Sequence, residues 1–474
     1  MGLKQITIDF EELSKEKTLR CDVDFINFQR NFLVKQYYSF NDLFIIQEKN
    51  KDDIKILDND FFYCEISNVS KNGEVNPVKL NFNERNEEKE NYYKKIEKGN
   101  IIKAEENDIL ISKVRPNLKK YVFIDHEKAK YYYTSAFIRL KSTILESTIF
   151  NKILYYSLRT IFYDNLIAIS RQGKGYPTLK IDDFLYLKFD KRIINKLIIK
   201  QDEIVIEIEP IEKRIKELKA QIKEPRDIIN KVFAREFGFD LEKFEELKKE
   251  KFFEVNFSEI NTSLIRTTVI QNKKSTSFLK YFLSRNSIFL KDVILKPIKR
   301  GKQPKYTENG VKVIKTLNIQ EGKVIFEDVQ FVSKKFLKDN EKKAGVYHND
   351  LLLTSTGMGR GKFALYEGEE VCFADSHISI IRFNQEKLIP KFLNYYCQSF
   401  FGAEQLKYIE MQIKGTPEIY EAQLNYFQIP NTPLEKQQKI VDEIKTELDK
   451  QEEIKKEIET ERNKIDEIIF NFSK

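Results

Sequence analysis

The sequence has 474 residues, a net charge of +8 and 33% charged residues. This length exceeds what one ordinary hydrophobic core serves, so we expect two or more domains. The mild excess of positive charge permits nucleic-acid binding but does not require it. The sequence has no apolar run of about 18 residues and no signal-peptide pattern at its N-terminus, which favours a soluble, cytoplasmic protein.

The first part of the chain, roughly residues 1–195, combines short strand patterns with helical patches. Runs such as "KYVFID" and "AFIRLK" are β-branched and aromatic, and Gly, Pro and Asn separate them, which is typical of strands. The stretch "FNKILYYSLRTIFYDNL" has a helical pattern instead. Roughly residues 250–430 repeat this mixture with runs such as "VKVIKTLNI" and "HISIIRF". The predicted fold class is therefore mixed α/β, of the α+β kind.

A helical segment with an apolar seam follows each mixed part. In the first segment the spacing alternates between four and three residues, which is a heptad pattern. Pro225 falls on this seam and predicts a break in the helix. The two helices can bury each other as an antiparallel pair, or each can pack on its own domain. The seam residues are Ile204, Ile208, Ile211, Ile215, Leu218 and Ile222 in the first segment, and Ile440, Ile444, Leu448, Ile454, Ile458, Ile465 and Ile469 in the second.

The same elements occur twice, about 240 residues apart. The stretch "NDILISKVRPNLKKYVFI" at 107–124 returns as "NDLLLTSTGMGRGKFALY" at 349–366. A period of this size is that of a domain, so we expect two similar domains in tandem. Further echoes link 6–13 with 253–260, 19–23 with 265–269, 39–44 with 288–294, 174–179 with 414–419, and 201–208 with 437–444.

Polar side chains gather at turns in the strand-rich parts, at matching places in the two repeats. Arg, Gln and Asn can recognise base edges through paired hydrogen bonds, and Lys and Thr suit phosphates. Solvated charged loops are the alternative for any single residue. Because the element types recur while the side chains differ, the set favours one scaffold that recognises two sequences. The candidates for DNA contact are Lys113, Arg115, Asn117, Lys119, Arg171, Gln172, Lys174 and Tyr176 in the first repeat, and Lys299, Arg300, Lys302, Gln303, Lys305, Tyr306, Thr354, Ser355, Arg360, Lys362, Lys414 and Thr416 in the second.

Patterns for catalysis, metal binding or cofactor binding are weak in this sequence. The glycines of "GMGRG" at 357–361 lack the following helix and acidic residue of a dinucleotide loop. We therefore expect no catalytic residue, metal or cofactor in this chain, with a diverged methyltransferase or nuclease as the enzymatic alternative. The histidines lack paired spacing, and the cysteines lack CxxC spacing and are predicted to be buried free thiols. These residues are His126, His348, His377, Cys21, Cys64, Cys372 and Cys397.

The chain resembles the specificity subunit of type I restriction–modification systems over nearly its whole length. The second repeat carries the clearest motifs, "RGKQPKY", "GVYHNDLLLTSTGMGRGKFAL" and "KGTPEIYEAQLNYFQIPNTPLEKQQKIV". In the first repeat, "ENDILISKVRPNLKKYVFI" is similarly characteristic. Each motif is weak alone, and their order, found twice, is what makes the resemblance specific.

This resemblance implies two target-recognition domains in tandem, separated by a two-helix antiparallel coiled coil. Each domain would bind one half of a split double-stranded DNA target. The helices would dock two methyltransferase subunits, which bring S-adenosylmethionine and methylate adenine, and restriction motor–nuclease subunits would join them. The implied bounds are 1–198 for the first recognition domain, 199–250 for the central helix, 251–433 for the second recognition domain and 434–474 for the C-terminal helix.

The first repeat departs from the family pattern in two places. The stretch "LKFDKRIINKLIIKQDE" replaces the Pro-rich lead "IPNTPLEKQQ", so that Gln201 alone keeps the glutamine. A clear Gly-x-x-Pro loop is also missing, and "IIQEKNKDDIK" stands in its position. Two alternatives remain open at this point. One is a type IIB-like subunit that works with a fused nuclease–methyltransferase, and the other is a coiled-coil adaptor without DNA sequence preference.

Overall fold

The computed structural model divides the chain into two compact units. Unit 1 comprises Met1–Ala220 and Lys456–Lys474, and unit 2 comprises Gln221–Lys455. The structure describes residues 25–26, 29, 36–47, 60–85, 89–144, 147–172, 175–249, 273–320, 322–326, 329–357, 359–409, 411–413 and 416–474. The predicted echoes at 6–13, 19–23, 253–260 and 265–269, together with Cys21, Lys174 and Lys414, lie outside these residues.

Unit 1 contains two four-stranded sheets and two short strand pairs among its described residues. The elements are β1 (Tyr37–Ser39), α1 (Phe40–Leu43), β2 (Phe44–Gln47), β3 (Phe61–Cys64), β4 (Val78–Leu80), α2 (Glu90–Glu97), β5 (Ile102–Lys103), β6 (Ile109–Ser112), β7 (Tyr121–Phe123), β8 (Tyr132–Tyr133), β9 (Phe137–Ser142), α3 (Thr148–Arg159), α4 (Tyr163–Ala168), β10 (Arg171–Gln172), β11 (Pro177–Thr178), β12 (Lys188–Asp190), α5 (Lys191–Ile199) and α6 (Gln201–Ala220).

Unit 2 contains a six-stranded and a five-stranded sheet and two short strand pairs among its described residues. The elements are α7 (Pro225–Phe237), α8 (Leu241–Lys249), α9 (Lys273–Arg285), β13 (Ser287–Phe289), β14 (Lys299–Arg300), β15 (Tyr306–Thr307), β16 (Val311–Ile314), β17 (Ile319–Gln320), β18 (Gly322–Val324), β19 (Gln330–Val332), α10 (Lys334–Ala344), β20 (Gly345–Val346), β21 (Leu351–Thr354), β22 (Phe363–Leu365), β23 (Cys372–Ala374), β24 (Ile378–Ile381), α11 (Pro390–Gln398), α12 (Phe400–Ile409), β25 (Met411–Ile413), β26 (Thr416–Glu418), α13 (Glu421–Leu424), β27 (Gln428–Pro430) and α14 (Leu434–Ser473), of which the last residues belong to unit 1.

The two units share one strand plan. In unit 1, β3 pairs antiparallel with β4 and parallel with β8, which pairs with β5; in unit 2, β16, β19, β23 and β20 repeat these pairings. In the other sheet, β6 lies between β7 and β9, as β21 lies between β22 and β24. The predicted mixed α/β fold with two similar domains in tandem is confirmed. The edge pair of β14 with β24 likewise repeats that of β2 with β9, and unit 2 enlarges the plan with β15, β17 and β18.

An apolar cluster shared by both sheets forms the middle of each unit. In unit 1 it includes Cys64 of β3 and Leu110 of β6, and in unit 2 it includes Leu352 of β21 and Cys372 of β23. The central strands β6 and β21 are buried along their whole length. This explains their continuous apolar runs, since a strand covered on both faces has no polar side to show. Cys64, Cys372 and Cys397 are buried free thiols, as predicted.

The helical segments confirm the predicted seam and its break. Helix α6 buries Ile204, Ile208 and Leu218 on the predicted face and ends at Ala220. Helix α7 begins at Pro225, in the first turn, where a missing N–H costs no hydrogen bond. A second proline, Pro210, lies inside α6.

Helix pairing is observed within each unit. In unit 2, the segment 223–237 and the first half of α14 run antiparallel: the Lys223 N–H donates to Gln451 Oε1 at 2.8 Å, and Arg235 forms an ion pair with Glu443. In unit 1, α6 contacts the last part of α14, where Arg214 and Glu457 lie 2.7 Å apart. Helix α6 also packs on α3 of its own unit. The implied bounds 1–198, 199–250, 251–433 and 434–474 stay predictions.

Candidate nucleic-acid interface

The repeated Asn-Asp motif forms the same buried ion pair in both units. In unit 1, Asp108 contacts Arg139 across the sheet from β6 to β9. In unit 2, Asp350 accepts from Arg382 Nε at 2.7 Å. Both aspartates are 1% exposed. The motif therefore has a structural role: its buried aspartate fixes the start of the central strand and points into the protein interior.

The turn after the central strand has positive φ values at the same two positions in both units. In unit 1, Arg115 and Lys119 have φ values of +52° and +53°, in the left-handed region. Gly357 and Gly361 in unit 2 are likewise four positions apart and have φ values of +81° and +82°. Counted from the aspartate that begins each central strand, these residues occupy the same positions. Glycine is the residue best suited to this conformation, so unit 1 uses arginine and lysine where the backbone favours glycine.

A second loop lies beside this turn in each unit. In unit 1, Val114 forms a bridge with Thr178 of β11. In unit 2, Thr356 forms the equivalent bridge with Glu418 of β26. The structure thus brings together the two groups of candidate residues that the sequence placed about 55 residues apart in each repeat. This adjacent turn and hairpin is called the paired loop below, spanning 112–120 and 171–178 in unit 1 and 354–362 and 411–418 in unit 2.

Several candidate cations of unit 1 are engaged by the protein itself. The Lys113 amine donates to the Ser135 carbonyl at 2.7 Å, and the Lys119 amine donates to the Arg159 carbonyl at 2.9 Å. Arg171 Nε donates to the buried Asp183 carboxylate at 2.7 Å. These contacts fasten the paired loop to the body of the unit.

Three other candidates of unit 1 face outward from the paired loop. Arg115 and Asn117 are exposed, and Tyr176 is 41% exposed. The Arg115 guanidinium carbon lies 5.1 Å from the centre of the Tyr176 ring. Gln172 lies in β10, and its side chain is outside the described part of the structure, as is the whole of Lys174.

In unit 2, Thr354 and Ser355 are buried and stabilise the paired loop from inside. Thr354 Oγ1 donates to the Gly359 carbonyl at 2.8 Å, and it accepts from the Lys362 N–H at 2.9 Å. The Ser355 and Ser379 hydroxyl oxygens lie 2.5 Å apart. These hydroxyls therefore stabilise the turn. The sequence alone does not distinguish this structural role from a phosphate contact.

Arg300 is held against the second half of the unit 2 paired loop. Its guanidinium donates to the Ile419 carbonyl at 2.9 Å and lies 3.2 Å from the Glu418 carboxylate and 2.8 Å from that of Glu421. Gly301 follows, and a Cβ built there would lie 2.1 Å from the Ala374 carbonyl oxygen. The Gly-x-x-Pro loop therefore needs glycine for close approach to the neighbouring strand.

The remaining candidates of unit 2 are exposed or partly exposed. Lys302 donates to Asn340 Oδ1 at 2.5 Å, and Gln303 Oε1 accepts from Ser376 Oγ at 3.3 Å. Arg360 contacts the Gly357 carbonyl at 3.4 Å. Thr416 belongs to β26, and its side chain is outside the described part, as is the whole of Lys414. The exposed side chains that complete the set are Lys299, Lys305, Tyr306 and Lys362.

His377 is a neighbour of the paired loop that sequence reasoning missed. The side chain is exposed, and its Nδ1 contacts the hydroxyl of Thr356. Its Nε2 lies 4.0 Å from Asp375. A lone histidine without paired spacing gives no signal in the sequence, so only the pairing of strands could reveal this contact.

The described residues contain neither a metal-binding cluster nor a helix suited to span a membrane. No cluster of three or more His, Cys, Asp or Glu side chains is arranged to hold a metal ion there. Among the helices of the described residues, none combines the length and the apolar character needed to cross a membrane.

Three chains of known structure align with this chain over most of its length. A chain from a type I R-M system, solved to explain complex assembly and conformational transition, aligns with TM-score 0.40 and 14% identity over 93% of this chain and 97% of its own. The HsdS subunit from Thermoanaerobacter tengcongensis gives TM-score 0.32 and 14% identity over 92% and 96%. The S subunit of a type I restriction–modification system from M. genitalium gives 0.38 and 14% over 93% and 97%. The search of curated proteins found no match.

The sequence itself carries a recognised domain. Residues 286–462 match the family described as the type I restriction modification DNA specificity domain. This match covers the strand-rich part of unit 2 that holds its paired loop, together with the first part of α14. Over residues 286–462, the chain is therefore similar to the type I restriction modification DNA specificity domain.

Proposed function

We propose that this chain is the DNA-specificity subunit of a type I restriction–modification complex and that each unit recognises one half of a split duplex target. The observation that carries this proposal is the paired loop. It has equivalent strand bridges and equivalent left-handed positions in both units, with different side chains at those positions, such as Arg115 and Gly357. One scaffold with two sets of side chains is suited to two different half-sites.

The paired loops have the chemistry of a duplex-binding surface. Exposed Lys362 of the unit 2 paired loop, together with exposed Lys299 and Lys305 of the Gly-x-x-Pro region, suits phosphate contacts, while Arg115 and Asn117 suit base edges in unit 1. Phosphate contacts release counterions, so affinity is expected to fall steeply as salt rises. The candidates fastened to the protein, such as Arg171, position the loop and do not contact DNA themselves.

The catalytic steps belong to partner subunits in this proposal. Two methyltransferase subunits, which bring S-adenosylmethionine, dock on the helical segments, and restriction motor–nuclease subunits complete the complex. The outer face of α6 offers Ile206, which is 71% exposed, as one apolar contact for such a partner. The chain itself is non-catalytic and positions the other subunits on the target.

Methylation mapping tests this function. The chain is expressed in a host together with the neighbouring methyltransferase gene, and the genome is sequenced with modification-sensitive long reads, with and without this chain. The expected result is a split adenine-containing motif that appears only with the chain. An active, bound methyltransferase that produces no such motif contradicts the proposal and favours a protein adaptor. A motif produced by a single fused nuclease–methyltransferase favours the type IIB-like arrangement.

A further inference from the structure

Arg115 occupies a backbone position where glycine is better suited. Its φ is +52°, and the equivalent residue in unit 2, Gly357, has φ of +81°. A side chain in the left-handed region carries a backbone cost that glycine avoids. Since unit 2 has a glycine with positive φ at the equivalent position, the backbone conformation does not explain the arginine. Its side chain is the remaining explanation.

The charge of Arg115 is available to a ligand. Neighbouring Lys113, Lys119 and Arg171 each donate to an acceptor of the protein at 2.7–2.9 Å. Within the described part of the chain, no carboxylate forms an ion pair with Arg115, and its side chain rests on the ring of Tyr176. Arg115 is therefore exposed without an ion-pair partner, whereas Lys113, Lys119 and Arg171 are engaged by acceptors of the protein.

The contact with Tyr176 orients the guanidinium without consuming its hydrogen bonds. The guanidinium carbon lies 5.1 Å from the ring centre, and Tyr176 is itself 41% exposed. A guanidinium that stacks on an aromatic face keeps its N–H edges free and loses side-chain freedom before any ligand arrives. Such a fork matches the O6 and N7 acceptors that guanine presents in the major groove.

We propose that Arg115, held by Tyr176, is the residue of unit 1 that recognises a guanine in its half-site. This inference rests on the proposed function and names the base that the paired loop of unit 1 selects. At the equivalent positions unit 2 lacks this pair, because Gly357 stands in place of Arg115 and Thr416 in place of Tyr176. Only the half-site of unit 1 is therefore expected to respond to changes at Arg115 or Tyr176.

The test uses the purified complex of the full chain with its methyltransferase partner. Affinity is measured for duplexes of the mapped target in which each guanine of the unit 1 half-site is replaced in turn by 7-deazaguanine, which lacks the N7 acceptor. The wild-type complex is expected to lose roughly tenfold in affinity at one position, because one of the two acceptors of the bidentate contact is gone. In Arg115→Lys and Arg115→Gly the same replacement should have no further effect.

The two variants separate a base contact from a phosphate contact. Arg115→Lys keeps the charge and loses the planar fork, so it should bind as weakly as Arg115→Gly if guanine is the ligand. Lys180→Ala is the matched control, because it removes an exposed charge close to the same hairpin. It should keep the full sensitivity to 7-deazaguanine. Thermal unfolding of each variant checks that the fold is retained.

Each outcome decides the proposal. Loss of the 7-deazaguanine effect in both Arg115 variants, with the effect kept in Lys180→Ala, supports it. Wild-type affinity in Arg115→Lys, or weakening that is equal on all duplexes, assigns Arg115 to a phosphate and overturns it. A wild-type complex without any sequence preference overturns the proposed function as well, whereas a preference that no Arg115 variant changes overturns this inference alone.

Discussion

Unit 1 and unit 2 build the same paired loop with different residues at its two left-handed positions. Unit 2 has Gly357 and Gly361, while unit 1 has Arg115 and Lys119. The lysine is explained by its contact with the Arg159 carbonyl, and the arginine points outward. The comparison teaches that a left-handed position of a shared turn can hold a larger side chain that is free to bind a ligand. The backbone strain of that residue is then offset by the stability of the rest of the unit.

The helical leads differ in the same way. In unit 2, the buried Gln437 donates to the Lys387 and Thr432 carbonyls and accepts from the Ile389 N–H. In unit 1, Gln201 stands at the equivalent position, and within the described structure its Oε1 has no hydrogen-bond partner. In unit 2 the glutamine therefore ties the Pro-rich lead and the segment at 387–389 to the start of α14, and this hydrogen bonding is missing at the Gln201 Oε1 of unit 1.

The largest expected effect concerns the ion pair that both units share. Asp350→Ala should destabilise unit 2 by about 3–5 kcal/mol, because Arg382 is left without its buried partner. Asp108→Ala should destabilise unit 1 by a similar amount through Arg139. Denaturant unfolding, followed with probes in each unit, measures both. The exposed Asp339→Ala is the control, and an effect as small as that of Asp339→Ala in either unit would break the structural equivalence of the two motifs.

The next effect concerns the two glutamines. Gln437→Ala should destabilise the protein by about 1–3 kcal/mol, because it leaves buried backbone groups unpaired. Gln201→Ala should cost clearly less, since its side-chain oxygen is already unpaired. The same unfolding measurement compares them. Equal losses of stability would contradict the difference between the two glutamines and would mean that Gln201 stabilises unit 1 as much as Gln437 stabilises unit 2.

A smaller effect is expected at the left-handed positions. Arg115→Gly should leave stability unchanged or raise it by up to about 1 kcal/mol, because it relieves the backbone. Gly357→Ala should lower stability by about 1 kcal/mol, since open space surrounds its Cβ position and only φ opposes it. Thermal unfolding of the two variants gives the signs. A loss of stability in Arg115→Gly, or a gain in Gly357→Ala, would contradict the equivalence of the two left-handed positions.

The smallest effect is a response to acid of two ion pairs that α14 forms, one in each unit. Hydrogen bonding to Arg235 lowers the pKa of Glu443 in unit 2, and hydrogen bonding to Lys71 lowers the pKa of Glu459 in unit 1. A lowered folded-state pKa gives stability above the unfolded value near 4.5 that is lost as pH falls through the folded pKa. Because both pairs are partly exposed, each loss should stay below about 1 kcal/mol. Glu443→Gln should reduce the acid sensitivity of unit 2 in pH-dependent unfolding, and an unchanged profile would contradict this assignment.

The sequence predicted the tandem plan because repeated apolar runs and repeated turn residues are local signals. The central strands, the seam of α6 and the break before Pro225 follow from the spacing of single residues. The candidate loops were also found, but not which of their side chains face outward. Whether Lys113 or Arg171 meets a carbonyl, a carboxylate or solvent depends on strand pairing over long distances along the chain, which composition does not encode. The contact of His377 with Thr356 was missed for the same reason.

The most direct test of the central claim exchanges residues 1–198 for the corresponding domain of another specificity subunit and maps methylation in the same host. Unit 2 and the helices remain those of this chain. The account predicts that one half of the split motif changes to that of the donor while the other half stays as it was. A change in both halves, or in neither, would contradict the claim that each unit recognises its own half-site.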